Sequence, residues 1–197
     1  MFTRFSLIGS AIALGACASV AQAAPPEDDA PAALPTEAEM PGPDEGVFPS
    51  MMRATSTLKG TEGQEIGTAN LLDGPNGLVI RVELAPGSLT PGWHGIHLHA
   101  VGDCSDTGTY KKSGGHVGKT EGGHGLLNPK GPENGDLPNI WAAADGSAGY
   151  EAFTKLDALA DLTDDDGSAI IIHESEDDGM TQPIGGAGAR VACGVIS

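Results

Sequence analysis

Two histidines flanking one apolar residue, His97-Leu98-His99, sit in the stretch from Pro91 to Cys104 and are the side chains best placed to do chemistry. In a β-strand, residues i and i+2 share a face, so both imidazoles converge on one point while Leu98 enters the core. Neutral imidazole is the usual protein ligand for copper and zinc, and two rings on one rigid strand make half of a metal site. Taken alone, such a pair also fits a strand with two solvated histidines. The chain carries four more, His94, His116, His124 and His173. All six fall in this strand, in the long Gly-rich segment after it, or at the end of a later strand. Solvated histidines would be scattered, so the clustering favours a metal centre.

The elements that must position these rings are short. Glycine is abundant (30 of 197 residues) and aromatics are only 4%, which points to strands and turns rather than a helical bundle. β-prone runs fall at 55–59, 66–72, 78–84, the histidine strand, 139–144, 150–155, 169–173 and 190–195. Dense turn signals such as Asp73-Gly74-Pro75-Asn76-Gly77 separate them. The pattern predicts an all-β domain of about eight antiparallel strands, a Greek-key barrel or sandwich without a long helix. Two long excursions, 102–137 and 174–189, interrupt it, and loops of that length in a compact domain are usually functional.

Residues 1–23 read as a secretory signal: Arg4 near the start, an apolar run over 7–16, then small residues. Two cleavage readings stay open. Ala21-Gln22-Ala23 fits an ordinary A-x-A site, and Leu14-Gly15-Ala16-Cys17 looks like a lipobox that would make Cys17 a lipid anchor. Residues 24–47 form an acidic Pro/Ala-rich linker with no means of burying a core, and the domain occupies 48–197. An exported, periplasmic protein is expected, membrane-anchored as a lipoprotein if Cys17 is modified. From 24 to 50 there are seven acidic and no basic residues, within a formal net charge of −17. No basic stripe is available to meet phosphates, so nucleic acid is excluded as a partner. No apolar run reaches membrane-spanning length.

From about residue 54 to the C-terminus the chain resembles the copper–zinc superoxide dismutases, specifically the secreted bacterial type. The motifs that carry the likeness are His94-Gly95-Ile96-His97-Leu98-His99, Ser113-Gly114-Gly115-His116 with His124 eight residues on, and Gly135-Asp136-Leu137-Pro138-Asn139. Ile172-His173-Glu174 and Gly188-Ala189-Arg190-Val191-Ala192-Cys193-Gly194 complete them. The resemblance implies dismutation of superoxide to dioxygen and hydrogen peroxide by a redox-cycling copper beside zinc. It implies His97, His99, His116 and His173 as copper ligands, with His116 bridging to zinc, and His124 and Asp136 as zinc ligands. Asp177 falls where the family has a carboxylate that hydrogen-bonds one copper histidine and one zinc histidine. His94 matches a structural position. Arg190 would attract and orient the anion beside copper, and His116 would carry a proton. Cys104 and Cys193 would form a disulfide, as export permits.

One position departs from the family. The third zinc histidine should fall three residues before Asp136, where this chain has Glu133. Glu133 ligating zinc, a weak or empty zinc site in a copper-only enzyme, and a rearranged loop that supplies Glu121 all remain open. The segment 174–189 also lacks the lysine the family often carries there, leaving Arg190, the metals and Lys111, Lys112 or Lys119 to guide substrate. The alternative function is a non-catalytic periplasmic or surface copper-binding protein, which would need the same histidines but not Arg190. The sequence leaves a homodimer and a monomer equally open.

Overall fold

The computed structural model describes residues 52–155 and 157–197. The expected signal segment, Cys17 and the acidic linker lie outside these residues.

Alternation of apolar and polar residues sets the local structure. Along β1 (Met52–Gly60) every second residue from Ala54 onward is buried, as a half-covered strand requires. It pairs antiparallel with β2 (Glu65–Gly74), which pairs with β3 (Gly77–Leu84) through the turn predicted at 73–77. The remaining strands are β4 (Gly92–His94), β5 (Ile96–His99), β6 (Ile140–Ala142), β7 (Ala148–Thr154), β8 (Ala169–His173) and β9 (Arg190–Val195). They form one antiparallel sheet in the order β4-β6-β7-β3-β2-β1-β9-β8-β5. Its two ends are consecutive in the chain, separated only by Gly95, so the sheet curls into a nearly closed barrel.

The count is nine strands rather than the eight expected. The predicted histidine strand breaks at Gly95, because β4 pairs with β6 while β5 pairs with β8. At the break, His173 donates its N–H to the Gly95 carbonyl at 2.8 Å, and Gly95 donates its N–H to Ser175 O at 2.8 Å. Among the described residues, helix is confined to one turn of α1 (Leu159–Leu162) and a 3-10 turn at Lys111–Ser113.

The barrel is filled by Leu58, Leu71, Ile80, Leu98, Ile140 and Ile172, among others, all fully buried. β5 and β8 differ from the other strands in being buried at every position. Their inner residues face this core, and their outer ones, His97, His99 and His173, lie under the two long loops. The first loop is stitched onto β5 by backbone bonds: Leu98 N–H to Gly135 O, Val117 N–H to Leu98 O, and Gly135 N–H to Val117 O, each 2.9 Å. A side chain at 135 would place its Cβ 2.2 Å from Leu98 O, so the close approach requires glycine there. The Cys104–Cys193 disulfide joins the same loop to β9 across 89 residues, with Cα atoms 5.8 Å apart. Closing a loop of that length stabilises the fold by roughly 4–5 kcal/mol in the chain-entropy model.

Candidate metal centre

β5 delivers the first two rings. His97 and His99 project from one face with ring centroids 6.5 Å apart, while Leu98 enters the core as expected. β8 adds His173, whose ring lies 4.9 Å from that of His97. A register shift after Ile172 sets His173 opposite Arg190 while Ile172 faces Ala192, so one residue of β9 bulges. Bulges re-aim side chains, and this one sets Arg190 beside His173. The first loop supplies His116, bridged by backbone to His99, with its ring centroid 4.3 Å from His97 and 5.2 Å from His124.

One nitrogen of each strand-borne ring, His97, His99 and His173, is already committed. His97 Nε2–H donates to Asp177 Oδ2 at 2.7 Å, His99 Nδ1–H to Gly114 O at 3.0 Å, and His173 Nδ1–H to Gly188 O at 3.1 Å. Each bond fixes the tautomer and leaves a bare lone pair on the opposite nitrogen. Those opposite atoms, His97 Nδ1, His99 Nε2 and His173 Nε2, are buried with no hydrogen-bond partner, and so are both nitrogens of His116. Five orphaned imidazole nitrogens in one place are what two metal ions sharing the His116 ring would satisfy, and the all-imidazole donors on the His97, His99 and His173 side suit copper. Burial drives the rings toward the neutral, ligating form. It lowers His97, takes His99 down to about 2 with Arg190 adding repulsion, and takes His173 down to about 3.

A second cluster lies on the other side of His116. Its Nδ1 is 2.9 Å from Glu133 Oε2 and 3.2 Å from Asp136 Oδ1, and His124 Nδ1 is 2.8 Å from the same Asp136 oxygen. His116 Nδ1 approaches these carboxylates without the alignment of a hydrogen bond, as atoms gathered around a common centre do. Ligand atoms of His97, His116, His124 and Asp136 all lie within 4.8 Å of one another, as do, separately, those of His97, His99 and His173. His97 belongs with the second group, because its Nε2 is engaged by Asp177 and only Nδ1 is free. Glu133 lies outside the first group by that distance, but its oxygen reaches His116 directly.

The backbone holds the two carboxylates. Thr120 N–H donates to Glu133 Oε1 at 2.9 Å, and Gly125 and Glu133 N–H groups donate to Asp136 Oδ2 at 2.7 and 2.9 Å. Burial opposes the Asp136 charge, but the close His116 ring and the hydrogen bonds from His124 and from Gly125 N–H outweigh it and hold the carboxyl well below the usual range. His124 is correspondingly raised to about 10: burial works against its charge, and the hydrogen bonds to Asp136 and Asp177 overcome it. Glu121 is exposed.

Asp177 ties the two clusters together. It accepts from His97 Nε2, from His124 Nε2 at 3.3 Å and from Gly179 N–H at 2.7 Å, and these bonds hold its carboxyl far below the usual range against the cost of burial. Asn139, not singled out from the sequence, clamps its backbone reciprocally: Asp177 N–H donates to Asn139 Oδ1 at 3.0 Å, and Asn139 Nδ2 donates to Asp177 O at 2.8 Å. The two residues are 38 apart in the chain, so no local signal could pair them. His94 sits apart from both clusters, its Nδ1 2.8 Å from His173 O and its Nε2 2.7 Å from Thr90 O, a structural role as expected.

Arg190 is half-buried at the rim. Its Nη1 donates to Tyr110 O at 2.6 Å and Ser113 Oγ at 2.9 Å, and its Nη2 donates to Gly114 O at 2.8 Å. All three acceptors are uncharged, so they aim the guanidinium without neutralising it, and N–H groups remain for an anion. Of the lysines considered for guidance, Lys111 and Lys112 are exposed and Lys112 Nζ bonds Ser105 Oγ at 2.8 Å, while the Lys119 stem lies against Gly115 beside His116.

Known proteins with these features were found by sequence and by structure. Residues 65–196 match the family model described as copper/zinc superoxide dismutase. The copper–zinc superoxide dismutase of Caulobacter vibrioides is 47% identical over 150 residues, covering 73% of this chain and 84% of its own. A second such enzyme, from Aquifex aeolicus, is 35% identical over 154 residues, covering 76% and 89%. Among solved structures, a double mutant of a superoxide-dismutase-like protein from Bacillus subtilis matches with TM-score 0.65 and 36% identity over 72% of this chain and 95% of that one. The Cu/Zn superoxide dismutase of Brucella abortus matches with TM-score 0.61 and 31% identity over 74% and 100%.

Proposed function

This chain belongs to the copper/zinc superoxide dismutase family, and from that premise we propose which of its residues carry the reaction. The protein is a superoxide dismutase, converting two superoxide ions and two protons to dioxygen and hydrogen peroxide with copper and zinc as its metals. Bound copper supplies the alternating one-electron oxidation and reduction, and zinc supplies fixed charge without redox chemistry.

Copper would be held by His97 through its free Nδ1 and by His99, His116 and His173. Zinc would be held by His116, His124 and Asp136, with Glu133, whose Oε2 lies beside His116 Nδ1, completing the set. Asp177 fixes the orientation of His97 and His124. Arg190 draws the anion to the rim with its unpaired N–H groups and orients it toward the histidine cluster. Peroxide formation consumes two protons, and His116 Nε2 holds and delivers one of them. The observation that carries this reading is the set of five buried imidazole nitrogens without partners, each on a ring locked or bridged by its surroundings. Arg190→Ala tests it. An enzyme loses rate on the order of tenfold or more with copper content unchanged, since an aimed donor to the reacting anion is gone; a copper carrier is indifferent to the substitution.

Export to the periplasm is part of the same proposal, with the signal within residues 1–23 cleaved before Cys17, whose lipid then anchors the domain through the acidic linker of 24–47. The Cys104–Cys193 disulfide supports an oxidising compartment. Lipid labelling that disappears in Cys17→Ala supports the anchor, and a mature N-terminus at Ala24 contradicts it.

A further inference from the structure

The second metal site differs from the family pattern in its chemistry. Glu133 replaces an imidazole, so the donors gathered there are two imidazole nitrogens, from His116 and His124, and two carboxylate oxygens, from Asp136 and Glu133. The two carboxylate residues are each only 3% exposed. This site shares the His116 ring with a copper site, so copper is the competing ion it must refuse.

We propose that Glu133 is a specificity-determining residue that biases the second site toward zinc and against copper. The inference rests on the reading of Glu133 as a ligand. Copper(II) outranks zinc at a given nitrogen or oxygen site in the usual affinity order, and a protein restores the balance through ligand type and geometry. Imidazole suits copper well, whereas carboxylate is a harder donor that discriminates less in its favour, so exchanging one for the other erodes copper's advantage. Geometry acts in the same direction. Copper(II) favours tetragonal arrangements, whereas zinc favours tetrahedral ones. Here Thr120 N–H pins Glu133, the Gly125 and Glu133 N–H groups pin Asp136, and Asp177 holds the far nitrogen of His124. Donors so tethered resist the rearrangement by which copper(II) would impose its own geometry.

The test uses the full chain, stripped of metal by chelation and equilibrated with equal excess concentrations of copper(II) and zinc(II). Copper and zinc per chain are counted, and a second copper is detected independently by magnetic coupling to the first through the shared His116 ring, seen as loss of the paramagnetic resonance signal. The wild type should retain one of each metal. Glu133→His should shift the second site's copper-to-zinc ratio toward copper by about tenfold, with coupled copper pairs appearing. An unchanged ratio in Glu133→His overturns the specificity proposal. The near-isosteric Glu133→Gln separates this from failure of the ligand reading: it should lower zinc affinity about 10–100-fold while first-site copper stays bound. Unchanged zinc affinity in Glu133→Gln overturns the ligand assignment and the proposal together.

Discussion

At the scale of single residues, the Gly114 carbonyl does two jobs. It accepts from His99 Nδ1 and from Arg190 Nη2, so one backbone oxygen aligns a proposed copper ligand and the cation proposed to meet the substrate. Arg190 needs its planar fork to span Tyr110 O, Ser113 Oγ and Gly114 O, and a lysine cannot reproduce it. Arg190→Lys should therefore keep copper yet lower kcat/KM, by roughly tenfold, as a displaced charge still attracts but no longer orients. Equal activity of the two, measured by direct superoxide decay, would mean that only the charge matters. Asp177 offers a second test, because it accepts from rings of both clusters. Asp177→Ala should weaken zinc binding by about 10–100-fold, read by competition with a chromophoric chelator. A buried carboxyl away from the metals gives a pH signature. Asp157 is 7% exposed, with Oδ1 accepting from Asn134 Nδ2 at 3.1 Å and Oδ2 unpartnered. Burial raises its pKa, and nearby Asp161 adds repulsion. A group raised on folding favours the folded chain below its unfolded value and loses that contribution as pH rises through the folded one. Asp157→Asn should thus raise Tm at neutral pH, with the gain vanishing toward pH 4; a gain constant with pH would place its origin elsewhere.

At the scale of elements, the Cys104–Cys193 disulfide holds the first long loop to β9, three residues beyond Arg190. Replacing both cysteines by serine should cost about 2–5 kcal/mol of stability, measurable by denaturant titration. Loss of the tether should also loosen the segment that presents Tyr110, Ser113 and Gly114 to the guanidinium, so activity should fall below the unfolding midpoint. The strands themselves were legible in the sequence because period-2 alternation and Gly/Pro/Asn turns are local signals, and β3, β8 and β9 lie within a residue of their expected bounds. The break at Gly95 was not, since a strand that changes neighbours has the same local pattern as one that does not. Nor was the bulge opposite His173, which is a property of two strands and cannot be read from either. The H-x-H motif announced half of the proposed copper cluster. The other rings, Glu133 and Asp177 were reached by likeness to a family, and only the folded chain shows Glu133 Oε2 beside His116 Nδ1.

At the scale of the whole molecule, charge and substrate have the same sign. The chain carries 27 acidic against 10 basic residues, a formal net charge of −17, and superoxide is an anion. The segment 174–189 contributes no cation of its own, and the Arg190 guanidinium is the aimed positive group at the rim. Long-range attraction is correspondingly weak, and salt acts mainly by screening repulsion. The rate constant should lie below the diffusion limit and change by less than about twofold between low and physiological ionic strength. A near-diffusion-limited rate that falls steeply with salt would show effective steering by surface lysines instead. The most direct test of a histidine-bound copper as the reacting centre is to follow superoxide decay while copper is titrated into the zinc-loaded chain. Activity should rise linearly and stop at one copper per chain. Copper bound to that stoichiometry with superoxide decaying no faster than without protein would contradict the enzyme assignment.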